Sequence, residues 1–199
     1  TSGTTGKSKG VMQSHNVWIR AAENANFHFG TTDGDIAYNV LPLYNSAAWV
    51  ANICRALAAG IPCAIDEHFS VHAFWDRIRF YNATQTMTLG AMHMFLWNEP
   101  PRPDDADNPL RVANMVPMPE RLLKPFCERF GIEGITQGFG QSEVMLLLSR
   151  KDTPEKQWKP NALGALAHGV ELRMLKDDGN EAAPGEVGEF CVRETEPYS

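Results

Sequence analysis

Cysteine is scarce in this 199-residue chain: Cys54, Cys63, Cys127 and Cys191 lie far apart, with no C-x-x-C pair and no histidine at metal-ligand spacing. That excludes a disulfide scaffold and a zinc knuckle. All four are expected to be reduced core thiols, as in a cytoplasmic protein. No apolar run approaches about eighteen residues and no leader-like segment is seen, so no membrane-spanning helix is read. Positive charge is also thin. Eighteen Lys and Arg stand against 24 Asp and Glu, for a net charge of −6, and no basic cluster exists. A general binder of nucleic acid or of anionic membranes needs such a cluster to displace counterions. Internal repeats and low-complexity tracts are missing as well.

What remains is a chain with 43% hydrophobic residues, an ordinary globular composition. Strand-like and helix-like segments alternate up to about residue 150. "KGVMQSH" (9–15) reads as extended, and Ser14 or Asn16 then caps a helix reaching about Phe27. "DIAYNVLP" (35–42) reads as a strand, 46–60 as a helix stopped by Gly60, and "IPCAID" (61–66) as a short buried strand. Ser70 is expected to cap a helix whose Val71, Phe74, Trp75, Ile78 and Tyr81 share one apolar face. A strand at 84–89, a helix at 91–98, an exposed acidic loop at 99–109 and a strand "LRVANMV" follow. The next helix runs from Pro119 to Gly131 and is expected to bend at Pro125. Beyond residue 150, alternating strands flank a "DDGN" turn.

The predicted fold class is therefore α/β, a layered β-sheet with flanking helices followed by a small β-rich subdomain. The α/β part is placed at residues 1–160 and the β-rich part at 161–199. The chain opens on a loop without Met and closes on a polar stretch, so it is expected to be a piece of a longer protein.

Two stretches carry the chemistry. "TSGTTGKSKG" (1–10) supplies hydroxyl donors from Thr1, Ser2, Thr4, Thr5 and Ser8, charge from Lys7 and Lys9, and flexible backbone at Gly3 and Gly6. Such a loop folds around phosphate oxygens. Gly6-Lys7-Ser8 is also the end of a Walker A loop, but Thr1 stands where its first glycine belongs. A Walker-type NTPase would need a helix beginning at Lys7 and a metal carboxylate, for which Asp66 after "CAI" is available. The second stretch is "TQGFGQSE" (136–143). Gly138 and Gly140 permit close backbone approach, Phe139 offers a flat face to a base, Ser142 a hydroxyl and Glu143 a metal-binding carboxylate.

Taken together, "TSGTTGKSKG" and "FGQSE", with "GEVGEF" (185–190) as a third match, resemble the adenylate-forming (AMP-binding) enzyme superfamily of acyl-CoA synthetases. "FWDRIRFYNAT", "FCERFG" and the region around Trp158 are most similar to crotonobetaine/carnitine–CoA ligases. The resemblance covers the whole chain, as the middle and later part of a large N-terminal domain. It implies activation of a small carboxylic acid with ATP and Mg²⁺ to an acyl-adenylate, then transfer to CoA.

Carried over, Thr1, Ser2, Gly3, Thr4, Thr5, Gly6, Lys7, Ser8 and Lys9 would cradle the phosphates. Gly138, Phe139, Gly140 and Gln141 would hold the adenosine. Ser142 would contact the α-phosphate and Glu143 the Mg²⁺, with Thr1 as a second metal contact. Lys7, Lys9, Ser142 and Glu143 form the catalytic set, and Tyr44 and Asn45 the acid pocket.

Four positions depart from the family pattern. Ser8 replaces a proline, Ser142 a threonine and Asn45 a histidine. "NMVPMP" (114–119) stands where relatives carry a glycine-rich turn. The last two departures keep open a non-catalytic, ligase-like nucleotide-binding module. His93 and His168 are read as structural or solvated, His15 as a helix-entry residue, and Asp177 and Asp178 as turn residues. Trp49 and Trp97 are open between acid pocket and core. Expressed alone, the 199 residues are expected to make no acyl-CoA.

Overall fold

A computed structural model describes residues 6–151 and 159–195. Helix α1 (His15–Phe29) starts where the Ser14 hydroxyl accepts the Val17 amide, 3.2 Å away, and stops at Gly30 in the left-handed conformation. The residues ahead of it, 8–14, have no regular secondary structure.

Five parallel strands follow: β1 (Ala37–Asn39), β2 (Cys63–Ile65), β3 (Gln85–Leu89), β4 (Val112–Val116) and β5 (Gly134–Thr136). Their order across the sheet is β2-β1-β3-β4-β5. Between β1 and β2 the chain forms α2 (Ser46–Ala48), a π-helical segment (Trp49–Cys54) and α3 (Arg55–Ala59), which Gly60 ends with a left-handed cap. Helices α4 (Phe74–Tyr81), α5 (Ala91–Asn98) and α6 (Glu120–Phe130) connect the later strands.

The two faces of the sheet bury different residues because side chains alternate along each strand. Tyr38, Ala113 and Met115 point into the main core with Phe74, Trp75 and Ile78 of α4, Leu96 of α5, and Leu122, Phe126 and Phe130 of α6. On the opposite face Ala37, Met87 and Val112 meet Phe29 of α1, Ala51 of the π-helical segment and Ala56 of α3. The predicted apolar face of α4 is thus core, as expected for Phe74, Trp75 and Tyr81.

At the amino ends of the strands a polar network ties the layers together. Asp35, 3% exposed, accepts a hydrogen bond at 2.7 Å from Arg111 and others from Thr32, Thr84 and Gln85. Burial pushes its carboxyl up, but the bonds from Arg111, Thr84 and Thr32 outweigh that and hold it below the usual carboxylate range. Arg55 lies fully buried beneath, over the Phe29 ring at 4.0 Å and bonded to Gln85, and burial brings its pKa down to about 10.

A second, three-stranded antiparallel sheet follows β5: β6 (Gly138–Phe139), β7 (Leu148–Ser149) and β8 (Ala165–Leu166). The last pair, β9 (Val170–Leu175) and β10 (Glu189–Glu194), runs antiparallel over six residue pairs. Glu194 is tied back to Arg20 of α1 at 2.9 Å.

Several expectations need correction. The strand at 61–66 is not buried: β2 is a sheet edge, and Ile65 is 47% exposed. Ser70 does cap, its hydroxyl accepting the Ala73 amide at 3.3 Å, but it caps a turn that leads into α4, which itself begins at Phe74. The acidic loop is not wholly exposed. Asp105 is buried because Arg129 of α6 reaches it at 2.7 Å, and Asp105 in turn accepts the Arg102 amide. The thiols are free as expected, but all four are only half-buried, at the margins of the core. The "DDGN" turn does form, with Asp178 accepting the Asn180 amide. It joins Leu175 to Glu181 by a single bridge, and the true partner of β9 is β10. Helix α6 spans Glu120–Phe130 with Pro125 inside it, as the sequence reading placed it.

Candidate functional site

In an open parallel sheet, ligands settle outside the carboxyl ends of the strands, where successive connections leave in opposite directions. Here that point lies between β1 and β3. The connection after β1 runs over the α1 face to β2, and the one after β3 runs over the other face, through α5, to β4. Four loops border this edge: 40–46 after β1, 90 onward after β3, 117–119 after β4, and 137–147 after β5.

The 137–147 loop is the "FGQSE" stretch, and its backbone is tightly wound. The Gln141 carbonyl accepts the amides of both Val144 and Met145, and the Phe139 carbonyl accepts that of Leu147. Met145 is left-handed, with φ of 49°, an uncommon state for a side-chain-bearing residue. This winding turns the Met145 carbonyl back onto Gly140, where a Cβ would lie 1.6 Å from the oxygen. Only glycine fits. At Gly138 a Cβ would lie 2.7 Å from the Leu148 carbonyl. The glycines therefore serve the close approach read from the sequence, here between two parts of the same loop. Phe139 and Ser142 are half-buried, and Gln141 and Glu143 are exposed.

The two motif regions approach each other across the fold. Gln13, four residues after Lys9, donates its side-chain amide to the Ser142 carbonyl and reaches Met145 Sδ at 3.9 Å. Met145 packs with Val17, Trp18 and Ala21 of α1. Lys7, Ser8 and Lys9 are exposed on the lead-in to this contact. Thr1, Ser2, Gly3, Thr4 and Thr5 lie outside the described residues.

Three groups missed by sequence reasoning support the loop. His28, 3% exposed in α1, has Nδ1 2.8 Å from Ser149 Oγ, and the Asn114 side-chain amide meets Nε2. Burial first, then Lys151 and Arg55, lowers its pKa to about 4. Gln137 accepts the Met118 amide at 2.9 Å, joining the loops after β4 and β5. Arg150 holds Glu120 through two bonds, at 3.0 and 2.9 Å, which places the start of α6 against β7 and lowers the Glu120 pKa. Only Gln137, beside the motif glycines, carried any signal in the sequence.

Tyr44 and Asn45, read as the acid pocket, lie in the 40–46 loop after β1. Tyr44 stands 92% exposed, and Asn45 Oδ1 accepts the Ala47 amide at 2.9 Å as the N-cap of α2. Trp49 donates its indole N–H to the Leu43 carbonyl at 2.7 Å, whereas Trp97 packs on Phe126 in the main core. "NMVPMP" makes no demand for glycine. Val116 is simply the last residue of β4, and left-handed non-glycine residues occur at Asn82, Met145 and Asn161.

His93 is structural: Nε2 donates to the Pro117 carbonyl at 2.8 Å and Nδ1 faces the Thr88 hydroxyl at 3.1 Å. His168 is exposed, and His15 is the first residue of α1. The Walker alternative loses its local requirement, because the first helix starts at His15 and not Lys7. Asp66 accepts hydroxyls from Tyr38 at 2.8 Å and Tyr81 at 3.1 Å. It lines a cavity of about 410 Å³ beside β2, at the opposite edge of the sheet from β5.

Among the described residues no three His, Cys, Asp or Glu side chains converge as a metal cage, and no helix is long and apolar enough to cross a membrane. Mg²⁺ on a nucleotide needs only one or two carboxylates beside the phosphates, so the single exposed Glu143 suits it.

A parallel sheet whose carboxyl edge carries a Gly-wound loop, joined to a Ser/Gly/Lys-rich lead-in, defines an open α/β protein of the kind that takes ligands at that edge. The chain belongs to the AMP-binding enzyme family, whose model matches residues 1–196. Crotonobetaine/carnitine–CoA ligase of Escherichia coli O157:H7 is 29% identical over 196 residues, covering 97% of this chain and 37% of that protein. O-succinylbenzoate coenzyme A synthetase from Bacillus subtilis, solved with ATP and magnesium, superposes with a TM-score of 0.80 at 26% identity. It covers 98% of this chain and 40% of its own. A benzoate CoA ligase from Burkholderia xenovorans LB400 shares the fold, with a TM-score of 0.81 at 20% identity over 94% of this chain and 38% of its own. The chain thus spans about two-fifths of the relatives it matches.

Proposed function

We propose that this chain forms the acid-activating part of an AMP-forming acid–thiol ligase. A carboxylate oxygen attacks the α-phosphorus of ATP as the bond to the pyrophosphate oxygen breaks. The acyl-adenylate then yields its acyl group to the CoA thiolate, and AMP departs. Crowding of negative charge dominates the first barrier, so positioned donors and cations carry the catalysis.

In this reading the Thr, Ser and Gly residues at positions 1–6, with Lys7, Ser8 and Lys9, neutralise and hold the β- and γ-phosphates. Phe139 packs against adenine, with Gly138, Gly140 and Gln141 providing the close backbone. The Ser142 hydroxyl orients the α-phosphate. Glu143, with Thr1, would hold Mg²⁺, which supplies charge neutralisation on the phosphates. The observation that carries the reading is the Gln13–Ser142 bond, which brings the phosphate-loop lead-in onto the wound "FGQSE" loop at the carboxyl edge of the sheet. The four free thiols fit a cytoplasmic setting.

A non-catalytic, ligase-like module is the second reading. It is favoured by Asn45, whose side chain is spent on capping α2. One assay separates the two. In the full-length protein, Glu143→Gln is expected to slow acid-dependent ATP–pyrophosphate exchange by about 100-fold or more with the far-UV spectrum unchanged. Near-normal exchange would remove Glu143 from the site, and no exchange in the parent protein would favour the binding module.

A further inference from the structure

Strands β6 and β7 close the 137–147 loop through two residue pairs, Gly138 with Ser149 and Phe139 with Leu148. The first pair is the base of the loop, and the His28 ring lies against both of its members. Its Nδ1 is 2.8 Å from Ser149 Oγ, and its Cε1 is 3.5 Å from where a Cβ on Gly138 would stand. At the other end of the ring Nε2 meets the Asn114 side-chain amide, which also donates to Thr136 Oγ1 at 3.2 Å. Thr136 ends β5 two residues before Gly138. Thr136, Asn114, His28 and Ser149 therefore form a closed circuit with the Gly138–Ser149 pair. It ties the strand that enters the loop to the strand that leaves it.

The far part of the loop is held from the same helix. Gln13, one residue before the Ser14 cap of α1, donates to the Ser142 carbonyl, and Val17, Trp18 and Ala21 pack with Met145. Base and tip thus both rest on the segment that continues from Lys7, Ser8 and Lys9. A displacement at the base is carried to the tip, because the loop is wound on its own carbonyls, Gln141 with Val144 and Met145, and Phe139 with Leu147. Histidine suits the base because a neutral imidazole carries a donor and an acceptor on separate edges. Burial, with Lys151 and Arg55 adding like charge, keeps the ring neutral. With Asn114 donating to Nε2, the Nδ1 proton goes to Ser149.

We propose that His28 is a positioning residue for ATP: by clamping the Gly138–Ser149 pair it sets where Phe139 and Ser142 stand relative to the phosphate loop. It touches no reacting atom and acts through the 137–147 loop. The proposal rests on the acid-activation reading above, in which that loop holds adenine and the α-phosphate. In-line transfer depends on placement, and a shift of about 1 Å caused far from the chemistry can cost about 100-fold in rate. Loss of the clamp is therefore read in the nucleotide constants, whereas a general loss of packing lowers only the amount of active protein.

Ser149→Ala removes one end of the clamp and leaves His28 and every residue of the loop in place. The test measures the Kd for MgATP by titration calorimetry on the full-length protein. It also measures the KM for MgATP in ATP–pyrophosphate exchange, with whichever of a panel of carboxylic acids exchanges fastest. Both constants should rise about tenfold in Ser149→Ala, with the KM for the acid changed by less than about twofold. His28→Gln should raise them likewise, and the double variant by no more than the larger single effect. Thr88→Ala is the matched control. It cuts another buried histidine–hydroxyl contact, 3.1 Å from His93, and should lower the melting temperature with both MgATP constants unchanged. Parent-like MgATP constants in folded Ser149→Ala and His28→Gln, or an equal rise in Thr88→Ala, would overturn the role of His28. A parent protein that binds MgATP but exchanges with no acid would overturn acid activation, and the calorimetric comparison would still decide the clamp. A parent protein that binds no MgATP would overturn both.

Discussion

Lowering the pH should strip stability from this fold through one residue, His28. Its surroundings favour the neutral ring. The Asn114 side-chain amide donates toward Nε2, so the ring proton sits on Nδ1 and is given to Ser149 Oγ. A second proton on Nε2 would face an N–H donor inside the core, with Lys151 and Arg55 adding like charge. Burial is the largest cause of the shift, and the pKa falls from 6.5 to about 4.

The sign follows from proton uptake. Above pH 6.5 neither the folded nor the unfolded state binds the proton, and stability is unaffected. Between pH 6.5 and 4 the unfolded chain binds a proton that the native state refuses, so stability falls with pH. The loss is about 2 kcal/mol at pH 5 and approaches about 3 kcal/mol near pH 4. Urea unfolding of the full-length protein and its His28→Gln variant, compared from pH 7.5 to 4.5, isolates the effect because other titrations cancel. The variant should be the less stable at pH 7.5, by about 1–2 kcal/mol for the lost bonds, and should draw level near pH 5. A stability difference that stays constant across the range would refute the argument. The consequence reaches the site, because His28 lies under Gly138, whose Cβ position is 3.5 Å from His28 Cε1.

Asp35 should lose stability in the same direction as His28, but at lower pH. Its carboxyl is held below the usual value, so its contribution survives at pH 5 and is lost only as pH falls through the depressed folded-state pKa. Asp35→Asn, which leaves Arg111 facing a neutral amide, is expected to cost about 3 kcal/mol at neutral pH by urea unfolding, and a cost within error of zero would show the pair to be idle. Gly140→Ala must displace the Met145 carbonyl, and should lower acid-dependent exchange by about tenfold or more while the melting temperature shifts by only a few degrees. Normal exchange in that variant would mean that the wound loop is irrelevant to the activity.

Much of this molecule was legible one segment at a time. The Ser14 cap, the Gly60 and Gly131 stops and the helix at 91–98 are decided by a few neighbouring residues, because capping and apolar periodicity act within one or two turns. The motif stretches also identified the family, since a Thr/Ser/Gly/Lys-rich run and a glycine-spaced run are each contained in a few neighbouring residues. What only the folded chain decided depends on partners distant in sequence. Gln13 meets Ser142 across 129 positions, and His28 meets Ser149 across 121. Asp105 is buried in a stretch that reads as solvent loop because Arg129, 24 residues on, reaches it. That Asn45 caps a helix was not read from the sequence, because the cap depends on where α2 begins. β9 passed over the strand its turn offers and took β10, where six residue pairs form in place of a single bridge. A side chain's role is set by the groups that tertiary packing brings within about 3 Å, and a single segment does not contain them.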